Sequence, residues 1–148
     1  MPKGINVGGM VGHCSVRIAA MGDRAIDQHH ASAEDIVRMV ALVEEALLNG
    51  ALGFSTSRTY LHQTPDGREV PGTRAAPKEL LAIGDVMGRL DRGVFECAVD
   101  NDRQVQGIVG EKDRTVIERE VGWMKELSIR TGWPVTFGFV QNRSNPDG

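Results

Sequence analysis

The sequence predicts a parallel α/β domain, and three observations carry that expectation. Short apolar runs alternate with stretches at helical spacing, glycine or proline marks most junctions, and no repeat, low-complexity tract or linker interrupts the alternation. The 148 residues suit one domain with a moderate core, and 41% hydrophobic with 25% charged residues is ordinary for a globular chain. A net charge of −3 with scattered Lys and Arg gives no basis for binding nucleic acid or an anionic membrane. No apolar run approaches the roughly 20 residues that span a bilayer. No hydrophobic stretch follows Met1-Pro2-Lys3-Gly4 to make a secretory signal. Cys14 and Cys97 form no CxxC pair, so a reduced cytoplasmic chain is the simplest expectation, though a disulfide is also compatible with the sequence.

The elements follow in order. Ile5 to Val11 (INVGGMV) reads as a short buried strand, Ser15 to Met21 as a short helix and Gly22 to Ala31 as loop. Ser32 is an N-cap, with Glu34 and Asp35 complementing the helix dipole and Ile36, Val40, Val43 and Leu47 on one helical face. Gly50 closes that helix and Ala51 to Ser55 (ALGFS) follows as a strand. The loop from Thr56 to Ala76 holds Pro65-Asp66-Gly67 and Pro71-Gly72 turns. A loop of that length in a compact domain usually serves a function or is disordered. Pro77 starts a helix with Leu80, Ile83, Met87 and Leu90 on a face, leading to a strand at Gly93 to Val99 (GVFECAV). Val116, Ile117, Val121, Met124 and Leu127 mark the last helix, and Pro134 to Val140 (PVTFGFV) a fourth strand. Four strands with crossover helices make either a small open sheet or half of an eight-stranded barrel. Because no helix follows the fourth strand to cover it, the chain is expected to be part of a longer one.

In such folds chemistry gathers at the carboxyl ends of strands. Four ends carry candidates: Gly12-His13-Cys14-Ser15; Ser55-Thr56-Ser57 with Tyr60 and His62; Asp100-Asn101-Asp102; and Gln141-Asn142-Arg143. His13 could contact substrate, bind a metal or act as a base, or simply brace the strand end. Ser55 and Thr56 could bond a substrate carboxylate or amide with Tyr60 supplying a phenol, or could be turn chemistry. Cys14 reads as an inert thiol, His29-His30 as a solvated pair, and Asp100 with Asp102 as solvated caps that could alternatively bind metal or exchange protons. Gly-Phe-Ser-Thr-Ser lacks the second glycine of a nucleophile elbow, which disfavours a serine hydrolase, and no phosphate loop or dinucleotide fingerprint is present.

Val11-Gly12-His13 followed by Arg17 and Met21-Gly22 resembles the VGH…R…MG segment of the N-acyl-D-amino-acid deacylases. Glu44-Glu45-Ala46 and Gly50-Ala51-Leu52-Gly53-Phe54-Ser55-Thr56, with Tyr60 beyond, are similar to that family's EEAL…GALGLSTGLxY stretch. The resemblance covers about residues 5 to 62 and continues more loosely to the end. It implies a partial (β/α)8 TIM-type barrel of about four parallel strands with crossover helices. Residues 1–148 would be the central part of an amidohydrolase catalytic barrel, with both flanks missing. In that family zinc activates a water that attacks the amide carbonyl, releasing a carboxylate and a D-amino acid. The family's HxH motif, early cysteine ligand and catalytic aspartate have no counterpart here, so no catalytic residue is expected in this segment. Where the family pattern GVYATHxRDE carries a zinc-binding histidine, this chain has Ala98, and where PVxISH carries another it has Phe139. Neither can coordinate zinc. Cys97 could substitute only through a bulge, since neighbours on a strand face opposite sides.

Three functions follow. The first is a segment of a zinc amidohydrolase acting on N-acyl-D-amino acids or related amides, inactive alone and prone to self-associate through open edges. The second is a non-catalytic barrel-derived module that binds small molecules or oligomerises. The third is a carboxylate-centred hydrolase using Asp100 and Asp102.

Overall fold

The computed structural model describes residues 4–27, 30–99 and 111–138, the last stretch with side chains from residue 118 onward. Among these, strands β1 (Val11–Gly12), β2 (Phe54–Ser57), β3 (Phe95–Ala98) and β4 (Val135–Phe137) form one parallel sheet in sequence order. Helices α1 (His13–Met21), α2 (Arg24–Asp27), α3 (Ala33–Leu48), α4 (Pro77–Leu90) and α5 (Glu111–Thr131) provide the connections. Strand register places Val11, Phe54, Phe95 and Val135 in one row and Gly12, Ser55, Glu96 and Thr136 in the next. Alternation then sends these rows to opposite faces. Phe54, Thr56, Phe95 and Cys97 are buried, whereas Glu96 is exposed and Ser55, Ser57 and Ala98 are half-buried. Among the described residues the helices therefore cover one face. Sequential parallel strands with one covered face are the arrangement of a partial (β/α)8 barrel; a doubly wound sheet would carry helices on both faces.

Each helix forms where its sequence supports it. The Ser32 side chain accepts from the Asp35 amide while Asp35 accepts from the Ser32 amide, a reciprocal capping box. Met39, Val43 and Leu47, one helical face of α3, are fully buried. Pro77 occupies the first turn of α4, which buries Leu80, Ile83 and Met87. Burial of each such side chain is worth roughly 1.5–3 kcal/mol. Close approach sets the α4–α5 contact: a Cβ on Gly84 would lie 2.1 Å from Leu127 Cδ1. Beneath the sheet His13, Phe54, Phe95 and Trp123 form a continuous ring series, with centroids 5.3, 5.2 and 5.9 Å apart.

Four expectations are corrected. Ile5 to Val11 is not a buried strand: Ile5 and Val7 are exposed, the Gly9 carbonyl takes the first bond across, from the Leu52 amide, and the strand ladder itself starts at Val11. The stretch Gly22 to Ala31 contains one helical turn, α2, whose Arg24 forks onto Asp35 at 2.7 and 3.1 Å. That guanidinium holds the Asp35 carboxyl at about 2. The second strand is shorter than expected, Phe54–Ser57: the Ala51 amide still donates back to the Ala46 carbonyl of α3, while Leu52 already bonds across to Gly9 and Val94 just ahead of the strand. The buried face of α5 is rotated to Glu120, Trp123, Met124 and Leu127, leaving Val121 exposed. Among the described residues no helix is long and apolar enough to cross a membrane.

Candidate functional site

A cleft of about 370 Å³ opens on the uncovered sheet face at the carboxyl ends of β1 to β3. Cys14, Ser55, Ser57, His62, Glu96 and Ala98 line it, with Val70 and Pro71 from the long loop closing one side. Ser55 is thus on the cleft wall. Tyr60 is half-buried in the loop beyond β2 and is not part of that wall.

His13 and Thr56 also border the cleft, but their polar side-chain atoms are tied into a buried network. His13 Nδ1 lies 2.8 Å from Thr56 Oγ1 and Nε2 lies 2.7 Å from Glu79 Oε1. Arg17 Nη1 donates to both Glu79 oxygens, at 2.7 and 2.8 Å. All four side chains are almost completely buried. Burial lowers the His13 pKa more strongly than Glu79 raises it. Burial pushes the Glu79 carboxyl up, but bonds and charge from His13 and Arg17 outweigh this and leave it below its ordinary value. The consistent state is one ion pair, Arg17 with Glu79, and a neutral imidazole donating from Nε2 and accepting the Thr56 hydroxyl at Nδ1. The His13 ring reaches the cleft wall, yet both its nitrogens are engaged within the protein.

A second buried pair fixes the end of β2. Arg58 forks onto Glu120 of α5 at 2.9 and 3.0 Å and donates to the Ala75 carbonyl at 2.7 Å. Trp123 Nε1 also donates to Glu120, at 3.0 Å. Burial raises the Glu120 carboxyl, and Arg58 more than offsets it, so it is held below the usual carboxylate range. Sequence reasoning missed Glu79, Arg58, Glu96 and Glu120. Glu79 in a first helical turn looks like ordinary dipole complementation, and its partners lie 62 and 66 residues away.

The zinc expected from the resemblance can be tested against these donors. Among the described residues no three His, Cys, Asp or Glu side chains are placed to hold a metal ion. Ala98 contributes a methyl group to the cleft. Cys97 faces the helices, where burial pushes its thiol to about 12, so neither its direction nor its protonation suits a ligand. The described residues do not fit a zinc centre. Phe139, Asp100, Asp102, His29 and the Gln141-Asn142-Arg143 strand end lie outside the described residues.

No family model matches the chain. It is 35% identical over 82 residues to a D-aminoacylase of Alcaligenes xylosoxydans xylosoxydans, covering 55% of this chain and 14% of that protein. An N-acyl-D-glutamate deacylase of the same organism is 43% identical, over 54% of this chain and 20% of that protein. An uncharacterized protein of Mycobacterium tuberculosis is 31% identical over 116 residues, or 74% of this chain and 19% of its own length. A solved D-aminoacylase mutant in complex with copper chloride superposes with a TM-score of 0.66 at 25% identity, over 97% of this chain and 26% of that one. The chain thus spans a fifth or less of these curated relatives. The chain is thus similar in sequence, over half or more of its length, to a D-aminoacylase and an N-acyl-D-glutamate deacylase, and similar in fold, over nearly all of it, to a D-aminoacylase.

Proposed function

We propose that this chain forms part of the substrate-facing wall of an amidohydrolase barrel that cleaves the amide C–N bond of N-acyl-D-amino acids, and that alone it binds such amides without hydrolysing them. The observation that carries this reading is the cleft at the carboxyl ends of parallel strands, in a chain related to two deacylases of N-acyl-D-amino acids. Ser55 would meet the ligand directly, whereas Tyr60, off the cleft wall, would reach only a ligand that extends beyond it toward the adjoining loop. His13 and Thr56 would act through the shape of the wall, since their polar atoms are bonded to each other and to Glu79. The described residues do not by themselves supply a zinc site. A reduced, cytoplasmic setting goes with the two free thiols, Cys14 and Cys97. The alternative, a non-catalytic binding or oligomerising module, is favoured by Ala98, which puts a methyl group on the cleft wall.

Calorimetry with N-acetyl-D-methionine and its L enantiomer, run beside an assay for released amine with and without zinc, tests the reading. Saturable binding that favours the D form, without turnover, is expected. Absence of saturable binding by either enantiomer would remove it, and turnover by the chain alone would overturn the inactive assignment. Among the described residues the outer edges of β1 and β4 and one sheet face are uncovered, which should also drive self-association. Sedimentation is expected to show species above the monomer mass of 16.1 kDa. A monodisperse monomer with one sharp unfolding transition would contradict that.

A further inference from the structure

One polar pair in the cleft belongs to neither buried network. Ser57 Oγ lies 2.8 Å from His62 Nδ1, and both residues line the cleft. Ser57 is the last residue of β2 and faces the same side as Ser55 by strand alternation. His62 returns to it five residues later, where the Gln63–Glu69 bridge and the Val70 amide donating to the His62 carbonyl steady the loop. Ser57 is in register with Ala98, so only a methyl group stands beside the pair on β3. Glu96 sits one layer deeper, opposite Ser55.

We propose that Ser57 and His62 are the amide-binding pair of this cleft. With Nδ1 engaged by Ser57, Nε2 is the polar ring atom left for a ligand. When the Ser57 hydroxyl donates to Nδ1, Nε2–H can donate to an amide carbonyl. When Nδ1–H donates to Ser57, Nε2 accepts from an amide N–H and the serine hydroxyl hydrogen turns to the carbonyl. A secondary amide satisfies both states, whereas an ester lacks the N–H and an amine lacks the carbonyl. The Glu96 carboxylate repels a ligand carboxylate from the deeper layer, so an N-acyl amino acid would sit with its acid toward the cleft mouth. Only this last identification rests on the deacylase reading; the pairing with an amide does not.

The test follows the His62 ring resonances of the full chain by NMR during titration with N-acetyl-D-glutamate and, separately, with N-methylacetamide, which carries the amide alone. Both should shift His62 saturably. Ser57→Ala and His62→Ala should each weaken binding about five- to tenfold, the loss of one hydrogen bond, with an unchanged amide fingerprint showing that the fold is intact. If N-methylacetamide shifts His62 and N-acetyl-D-glutamate does not, the deacylase reading fails and the pair stands. If N-acetyl-D-glutamate binds while His62 is unmoved, or both variants bind like the parent, the pair is wrong and the reading survives. Silence of His62 to both probes overturns the proposal.

Discussion

Replacing Glu79 with alanine is expected to destabilise the protein by about 3–5 kcal/mol, a large part of the 5–15 kcal/mol that holds a domain folded. Glu79 joins α4 to both His13 and Arg17, and Arg17 has no solvent exposure at all. Removing the carboxylate takes away the charge that Arg17 meets at 2.7 and 2.8 Å inside the protein, which costs far more than the loss of the hydrogen bonds themselves. Urea unfolding would measure the change, and a loss below about 1 kcal/mol would show that the ion pair is wetter than its burial indicates. The same network makes stability fall in acid in two stages. Folding lowers the His13 pKa below 6.5, so the unfolded chain takes up a proton there that the folded chain refuses. Stability therefore declines as pH drops below about 6.5. Folding also lowers Glu79 below 4.5, and its contribution, full above that value, is lost as pH falls through the lowered folded value. His13→Gln keeps an N–H for Glu79 but cannot titrate, so the first stage should vanish while the second remains. Persistence of the first stage in that variant would place its origin elsewhere.

The elements legible in the sequence were those whose signals are local. Ser32 with Asp35 and the apolar spacing through Leu47 define α3 from adjacent residues alone, and Pro77 opens α4 in the same way. Strand alternation also made it legible that Cys97 and Ala98 face opposite ways, and they do. What failed depended on distant partners. Ile5 and Val7 look like strand residues, but a strand needs a neighbour to pair with, and the backbone bonds to the β2 segment begin only at Gly9. On α5 the apolar pattern pointed to Val121, whereas Arg58, just past β2, draws Glu120 inward and turns Trp123 into the core. No pattern within α5 announces that. The site divides along the same line. The hydroxyl cluster at Ser55 to Ser57 was visible as a cluster, but which hydroxyl faces the cleft and which faces Glu79's network follows from register with β3.

Gly72→Ala is expected to cost about 2–5 kcal/mol although it adds one methyl group. Two separate causes combine. Gly72 has φ +104°, a conformation that L side chains rarely adopt. Its Cβ would also lie 2.6 Å from His13 Nδ1 and 3.0 Å from Cγ and Cε1 of the same ring. The ring cannot yield easily, because Thr56 and Glu79 hold it from both nitrogens and Phe54 packs 5.3 Å away. The loop must move instead, and Val70 and Pro71, which close the cleft, move with it. Binding at the cleft should therefore weaken together with stability, while Gly67→Ala, with φ +83° but open space around its Cβ, should show the backbone cost alone. Urea unfolding of both variants and of the Gly72→Ala/His13→Asn double variant separates the causes. The smaller side chain at position 13 should recover the steric part and leave the backbone part, giving a coupling energy of about 1–3 kcal/mol. Strict additivity of the two substitutions would show that the loop, and not the ring, absorbs the methyl group, and the cleft would then be shaped independently of the buried histidine.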